Sequence, residues 1–259
     1  MTVPFDLDEC VHFAITATCT ASDIPRRHFR KWVGIETKAD ESPVTIADRD
    51  TERALRDAIA VRFPDHAIFG EEFGRSGDSR YTWIIDPIDG TKAFITGLPL
   101  YGMLVALLED ERPVLGIVRM PELGEAYVGA GGRAWRHNDT AISTSPTRTL
   151  KDATLYLCEP NRMLAEEPDV FARLLSEPRL TRMSYDCYPH ALLASGHIDA
   201  TVDYGLQPYD YFPLVPLIEG AGGIITDWEG QKLTLASDGR IVAAATPDLH
   251  AELLALIGG

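Results

Sequence analysis

Apolar positions near the start of the chain recur at helical spacing. Leu7, Val11, Ala14, Ile15 and Thr18 share one face, which predicts a helix between Asp6 and Lys31 that breaks or restarts near Pro25. A second helical period runs through Thr51, Leu55, Ile59 and Phe63, with Pro64-Asp65 as its stop. Thr45 stands at the N-cap position, and Asp48 three residues later completes a loose capping box. Lys38 and Asp40 precede this cap across a rigid Ser42-Pro43, which capping alone does not explain. Residues 67–70 read as a short strand that ends at Glu71-Glu72, and residues 75–80 as a polar Gly-Ser loop.

The pattern then becomes that of strands. An apolar run at residues 83–85 is followed by strands at 101–108, 113–120 and 125–130. Their turns, at 109–112 and 121–124, make an antiparallel meander, and the Gly131-Gly132 pair reads as a further hairpin connection. A Ser/Thr/Pro-rich stretch at 142–151 is the clearest internal boundary, which divides the chain into an α+β half at 1–145 and an α/β half at 146–259. In the second half strands at 153–157, 180–185, 198–203, 223–226 and 241–245 alternate with helices at 168–175, 187–195, 210–219 and 247–257. Such alternation layers sheet against helix.

Charge narrows the partners. With 259 residues and a formal charge of −15, the chain is a poor match for nucleic acid or an anionic membrane. No apolar run reaches the roughly 18 residues that a membrane span needs. The first ten residues carry acids rather than a basic leader, so a cytoplasmic location is expected. None of Cys10, Cys19, Cys158 and Cys187 forms a CxxC pair, which removes zinc-ribbon and redox-motif readings and leaves free, mostly buried thiols.

The candidate chemistry centres on Asp86-Pro87-Ile88-Asp89-Gly90-Thr91. A strand would deliver Asp86 to its C-terminal edge, Pro87 would stop the ladder, and the turn would swing Asp89 back toward Asp86. Two such carboxylates repel unless a cation lies between them. Gly90 allows close backbone approach, and the amides after it can open a helix that favours an anion. The pattern therefore suggests a hard-metal and phosphate site, although an ordinary Asp-Pro turn with Asp89 as a helix cap would look the same. Glu71-Glu72 could add metal ligands or be a solvated turn. Asp186 and Asp210 each stand at a helix cap position, which would account for them without any ligand.

Taken together these stretches resemble the inositol monophosphatase family of magnesium-dependent, lithium-sensitive phosphatases. Gly70-Glu71-Glu72 looks like its first acidic motif, and residues 86–91 are similar to its signature. Tyr209-Asp210 with Glu219-Gly220-Ala221-Gly222-Gly223 looks like its C-terminal motif, which usually reads Trp-Asp. The resemblance covers nearly the whole chain and implies a layered αβαβα sandwich, a homodimer, and hydrolysis of a small phosphate ester by direct attack of a metal-activated water.

Residue by residue, the resemblance implies that Glu71, Asp86 and the Ile88 carbonyl hold one magnesium ion, and that Asp86, Asp89 and Asp210 hold a second. A looser third ion would lie near Glu71, with Glu72 outside the ligand sphere. Gly90 and Thr91 would bind phosphate, and Thr91, helped by Asp48, would orient the water. Within the family the chain looks most like the histidinol-phosphatase branch, through residues 36–45, the run Thr91-Lys92-Ala93-Phe94, and Asp186-Cys187-Tyr188. Asp203 stands where inositol enzymes usually carry a Glu. Asp186 and Asp203 would receive the cationic end of histidinol phosphate by charge-assisted bonds. Other small esters, such as inositol 1-phosphate, and a non-catalytic role are the alternatives. Pro189-His190 depart from the expected continuation, so that His190 either alters the pocket or is a plain helix residue.

Overall fold

The computed structural model describes residues 5–31, 34–37, 43–137 and 139–259. Lys38, Asp40 and Ser42, singled out above, lie outside the described residues. The chain opens with α1 (Leu7–Ala21) and α2 (Asp23–His28), then pairs β1 (Ile35–Thr37) with β2 (Pro43–Thr45) antiparallel, and enters α3 (Ile46–Arg62). The helix break falls at Ser22, three residues before Pro25, which lies in the first turn of α2. At Thr45 the capping box forms in full: its hydroxyl accepts from Ala47 N–H, and the Asp48 carboxylate accepts from Thr45 N–H at 2.8 Å.

The first sheet contains β3 (Ala67–Gly70), β4 (Gly74–Ser76), β5 (Tyr81–Asp89), β6 (Gly102–Glu109), β7 (Arg112–Met120), β8 (Glu125–Ala130), β9 (Arg133–Arg136) and β10 (Thr140–Ala141), with α4 (Thr91–Thr96) after β5. The spatial order is β10-β9-β8-β7-β6-β5-β3-β4. The meander from β5 onward is the expected one, and Gly131 and Gly132, at φ of 57° and 71°, make the two-residue turn between β8 and β9. Two expectations change here. Part of the predicted loop at 75–80 is strand, because Gly74 to Ser76 folds back to extend β3 as the sheet edge. Pro87 does not end β5: the ladder to β6 resumes at Asp89 after a register shift. The missing proline N–H costs nothing there because the residue sits in the bulge, off the ladder.

Residues 142–148 lead to the second sheet. It contains β11 (Thr154–Cys158), β12 (Leu180–Ser184), β13 (Ala200–Asp203), β14 (Ile224–Asp227) and β15 (Ile241–Ala244), in the order β12-β11-β13-β15-β14. The helices are α5 (Pro160–Glu166), α6 (Pro168–Ser176), α7 (Tyr188–Ala194), α8 (Pro208–Tyr211), α9 (Leu214–Gly220) and α10 (Pro247–Gly258). Helix α5 was not predicted. The single helix expected over 210–219 is two helices, α8 and α9, that part at Phe212-Pro213. Proline removes an N–H from the helical ladder, so the chain turns there.

Three apolar cores set the layers. One lies between α1, α3 and the outer face of the first sheet, and includes Cys10, Ile59, Trp83 and Val105. A second, between the two sheets, packs Ile84, Leu104 and Val118 against Leu193, Phe212, Leu217 and Ala243. The third, under α6 and α10, contains Leu155, Leu174, Val202 and Leu253. The result is the expected αβαβα sandwich, with α7 and α9 in the middle layer. Helix α9 lies unusually close to β8, because a Cβ on Gly129 would sit 2.3 Å from the Leu217 backbone. We therefore expect Gly129→Ala to destabilise the protein by about 1–3 kcal/mol, since the neighbour is rigid backbone in a packed layer. Thermal denaturation should show a melting temperature several degrees lower; an unchanged value would contradict this packing.

Candidate active site

The bulge in β5 is what lets one strand present two acids to one place. Side chains alternate faces along a strand, so Asp86 and Asp89, three residues apart, would normally point in opposite directions. Asp86 pairs with Leu104 and Asp89 with Gly102, so three steps on β5 match two on β6. That extra residue restores parity and brings both carboxylates to the same side. Asp86 is oriented further by its own turn, in which its Oδ1 accepts from Ile88 N–H at 3.0 Å.

Asp210 joins them from the other sheet's side. Its carboxylate, with those of Asp86 and Asp89, forms a cluster whose oxygens lie within 4.8 Å of one another. It does not cap α8 as expected: Gln207 is the N-cap, and Asp210 is the third helical residue, with its carboxylate accepting from Gln207 N–H at 2.7 Å. Glu71, in the turn after β3, lies close enough to raise the Asp86 carboxyl electrostatically. That turn is fastened from below by Glu52 of α3, fully buried, which accepts from Glu72 N–H at 2.6 Å and pairs with Arg56 at 2.7 Å. Arg56 also donates to the Gly74 carbonyl and so ties the Glu71 turn to the edge strand.

At the end of β5, Gly90 adopts φ of 88°, and a Cβ there would meet the Asp186 carboxyl at 2.5 Å. Only glycine fits both constraints. Next to it, Thr91 opens α4 and its hydroxyl lies 3.2 Å from Asp48 Oδ1 and 3.3 Å from the Ile88 carbonyl. Asp48 is buried, held by the Thr45 backbone and hydroxyl, and burial raises its carboxyl above the usual range.

Asp186 is not the cap of α7. Its backbone is left-handed, with φ of 66°, and Cys187 is the N-cap residue. The Cys187 N–H instead donates to Asp89 Oδ2 at 2.5 Å, so a carboxylate from β5 takes up the helix start. Asp203, at the end of β13, accepts from His190 Nε2 at 3.2 Å and from Tyr204 N–H at 2.8 Å. His190 is thus neither a plain helix residue nor a direct wall of the pocket. A cavity of about 560 Å³ unites Glu71, Asp86, Ile88, Asp89, Gly90, Thr91, Asp210, Asp186 and Asp203. It also takes in residues the sequence reading missed: Glu159, Arg162 and Tyr204, with Lys92 paired to Glu159 at 3.7 Å. The signal available for Glu159 was its position just after a predicted strand, where such folds place ligand-binding residues.

The electrostatics identify what the site lacks. Burial first, and then Glu71, Asp89 and Asp210, drive the Asp86 carboxyl well above its ordinary range. Burial and Asp210 push Asp89 up to about 8, and burial opposed by the Gln207 amide leaves Asp210 at about 7. Burial and Asp89 push Asp186 to about 8. So many acids cannot all ionise without a compensating cation. The donor set is all oxygen, which fits a hard divalent ion.

The fold and this site fit a phosphatase whose acids come from both halves of the chain. The profile of the inositol monophosphatase family matches residues 6–258, and the chain belongs to that family. It is 41% identical over 244 residues, 90% of this chain and 70% of the relative, to the chloroplastic bifunctional phosphatase IMPL2 of Arabidopsis thaliana. A histidinol-phosphatase of Chlorobaculum parvum is 36% identical, with 88% of each chain covered. An inositol monophosphatase structure from Zymomonas mobilis superposes with a TM-score of 0.89 at 38% identity, covering 98% of this chain and 100% of that one. Members of the family are phosphoric monoester hydrolases that act on small phosphate esters. Among the described residues no helix is long and apolar enough to cross a membrane.

The raised acids fix a pH dependence. A carboxyl whose folded pKa lies above its unfolded value gives stability that is present below the unfolded pKa and lost as pH rises through the folded one. For Asp210 and Asp89 that window runs from the ordinary 3.8 up to about 7 and about 8. We expect the metal-free protein to melt at a lower temperature at about pH 8 than at about pH 5, and magnesium to raise the melting temperature more at the higher pH. Calorimetry with and without chelator checks both. An equal magnesium effect at the two pH values would count against the cluster as the metal site.

Proposed function

We propose that the protein is a magnesium-dependent histidinol-phosphate phosphatase of histidine biosynthesis. The observation that carries this reading is the position of Asp186, whose carboxyl lies against the Gly90 turn in the same cavity as Asp203. In histidinol phosphate the ammonium group is on the carbon next to the one that bears the ester oxygen. A carboxylate beside the phosphate turn therefore meets that ammonium, and Asp203, deeper in the cavity, meets the imidazole. The contact with the ammonium joins two opposite charges, whereas inositol offers a carboxylate only neutral hydroxyl donors. Histidinol-phosphatases from three bacteria, at 36%, 32% and 33% identity, support the same choice.

In this reading Glu71, Asp86, Asp89, Asp210 and the Ile88 carbonyl would hold two magnesium ions, with a third more loosely near Glu71. When bound, they would neutralise charge on the phosphoryl group and acidify water at the site. The chain's own residues do the rest. The first amides of α4, after Gly90, bind the phosphoryl oxygens. The Thr91 hydroxyl accepts a proton from the attacking water and passes its own to Asp48, whose raised carboxyl can receive it. Asp186 and Asp203 hold the leaving group in line. No covalent intermediate is required. A homodimer and lithium sensitivity belong to the reading through the family resemblance, and a cytoplasmic setting through the acidic first ten residues.

Inositol 1-phosphate is the second reading, favoured by the 38% identity to the Zymomonas mobilis enzyme. Asp203 could accept from one of its hydroxyls. A purely binding role would call for loss of a metal acid or of Thr91, and this chain retains them all.

The test is turnover of histidinol phosphate and inositol 1-phosphate with magnesium. Wild type should prefer histidinol phosphate, and Asp186→Asn should lower kcat/KM for it about tenfold or more while changing inositol 1-phosphate little. An equal loss on both esters would remove Asp186 from specificity. Separately, Thr91→Ala and Asp48→Asn should each reduce kcat by about 10²–10⁴-fold. Asp86→Asn should abolish magnesium-dependent turnover; near-normal rates in that variant would overturn the metal assignment.

A further inference from the structure

Behind the cavity wall lies a buried polar chain that the reaction as described does not use. His190 of α7 is 1% exposed. Its Nε2 lies 3.2 Å from Asp203 Oδ2, and its Nδ1 lies 3.1 Å from the Thr201 hydroxyl. An ionised carboxylate only accepts, so Nε2 carries the hydrogen and Nδ1 accepts from Thr201. Asp203 also receives the Tyr204 N–H on Oδ1 at 2.8 Å, and the buried Cys158 thiol lies within 4.8 Å of its carboxylate. A carboxylate offers about four lone-pair positions. The donors from His190 and Tyr204 leave about two, and Asp203 lines the cavity.

We propose that His190 is a positioning residue that fixes Asp203, so that the lone pairs it leaves open face the leaving group of the substrate. The inference rests on reading the cavity as a phosphate-ester site, but not on which ester it takes. It differs from simple satisfaction of a buried imidazole in one respect. A structural histidine would affect every substrate and the fold alike. A positioning histidine acts only where Asp203 touches the substrate, and only through Asp203.

Five proteins decide between these: wild type, His190→Met, His190→Gln, Asp203→Asn and the His190→Met/Asp203→Asn double variant. Met fills the imidazole space without a donor, and Gln can return an N–H toward Asp203. Each is assayed on the ester that wild type turns over best in a panel of cationic and neutral phosphates, and on 4-nitrophenyl phosphate, whose leaving group has no donor for Asp203. For the preferred ester, His190→Met should raise KM about tenfold with kcat within about twofold, as expected for loosening one charged hydrogen bond. Gln should restore most of the affinity. Turnover of 4-nitrophenyl phosphate should not change, and in the Asp203→Asn background the Met substitution should add nothing, because the two residues act as one unit.

Equal losses on both esters, additive effects in the double variant, or a folded Gln variant no better than Met would each overturn the proposal. If the Met variant does not fold, His190→Asn, too short to reach Asp203, takes its place in the cycle. A preferred ester other than histidinol phosphate would refute the substrate assignment above and leave this test intact.

Discussion

Repulsion among buried carboxylates is the constraint around which this fold is arranged. Asp86 and Asp89 arrive on one strand, Asp210 on a short helix of the other half, and Glu71 in a turn between strands. Nothing in their own chemistry favours this meeting, and burial makes it worse. The surrounding structure supplies the compensation. Ile88 N–H takes Asp86, Cys187 N–H takes Asp89, Gln207 N–H takes Asp210, and Glu52 anchors the turn that bears Glu71. Backbone donors hold each acid in position without neutralising it, so the charge remains available to a cation. The protein is thus built to hold a strained arrangement whose relief comes from the ligand.

Helix α7 connects the two ends of the cavity. Its first N–H engages Asp89 at the metal end, and Asp186, just before it, faces the Gly90 turn. One turn later His190 reaches Asp203 at the other end. The helix lies in the middle layer, packed through Ala191, Leu193 and Ala194 into the core between the sheets. A rigid element that touches both ends keeps the spacing between the acid cluster and Asp203 constant. Packing in the middle layer thereby sets the length of the cavity.

Much of this was legible in the sequence because it was local. The strand over 67–70, the Thr45–Asp48 capping box and the meander each follow from residues that are neighbours in the chain. The family motifs placed Asp86, Asp89, Gly90 and Thr91 together for the same reason. What escaped were partners distant in sequence. Glu52 sits on a helix face that looks amphipathic, and its role depends on a turn twenty residues later. His190 looked like one more helix residue because Asp203 is thirteen positions away. Asp186 and Asp210 both read as caps, since an acid before or within the first turn gives one pattern whichever position it takes. Helix α5, with Pro160 at its start and few apolar positions, gave too weak a period to stand out beside α6.

The bulge at Pro87 has a consequence of another kind. Because the site depends on parity along β5, it is more sensitive to the number of residues between Asp86 and Asp89 than to their identity. Ile88 contributes backbone groups, which most side chains would leave in place. Inserting one residue while the bulge remains would turn Asp89 to the opposite face of the sheet, away from Asp210 and from the start of α7, whereas deleting one would iron out the bulge and remove backbone groups that orient Asp86 and Thr91. The segment therefore works as a ruler. Its information lies in a count, and a relative with altered lettering but the same count would keep its acids aligned, whereas a single added residue would dismantle the site while leaving every carboxylate in the chain.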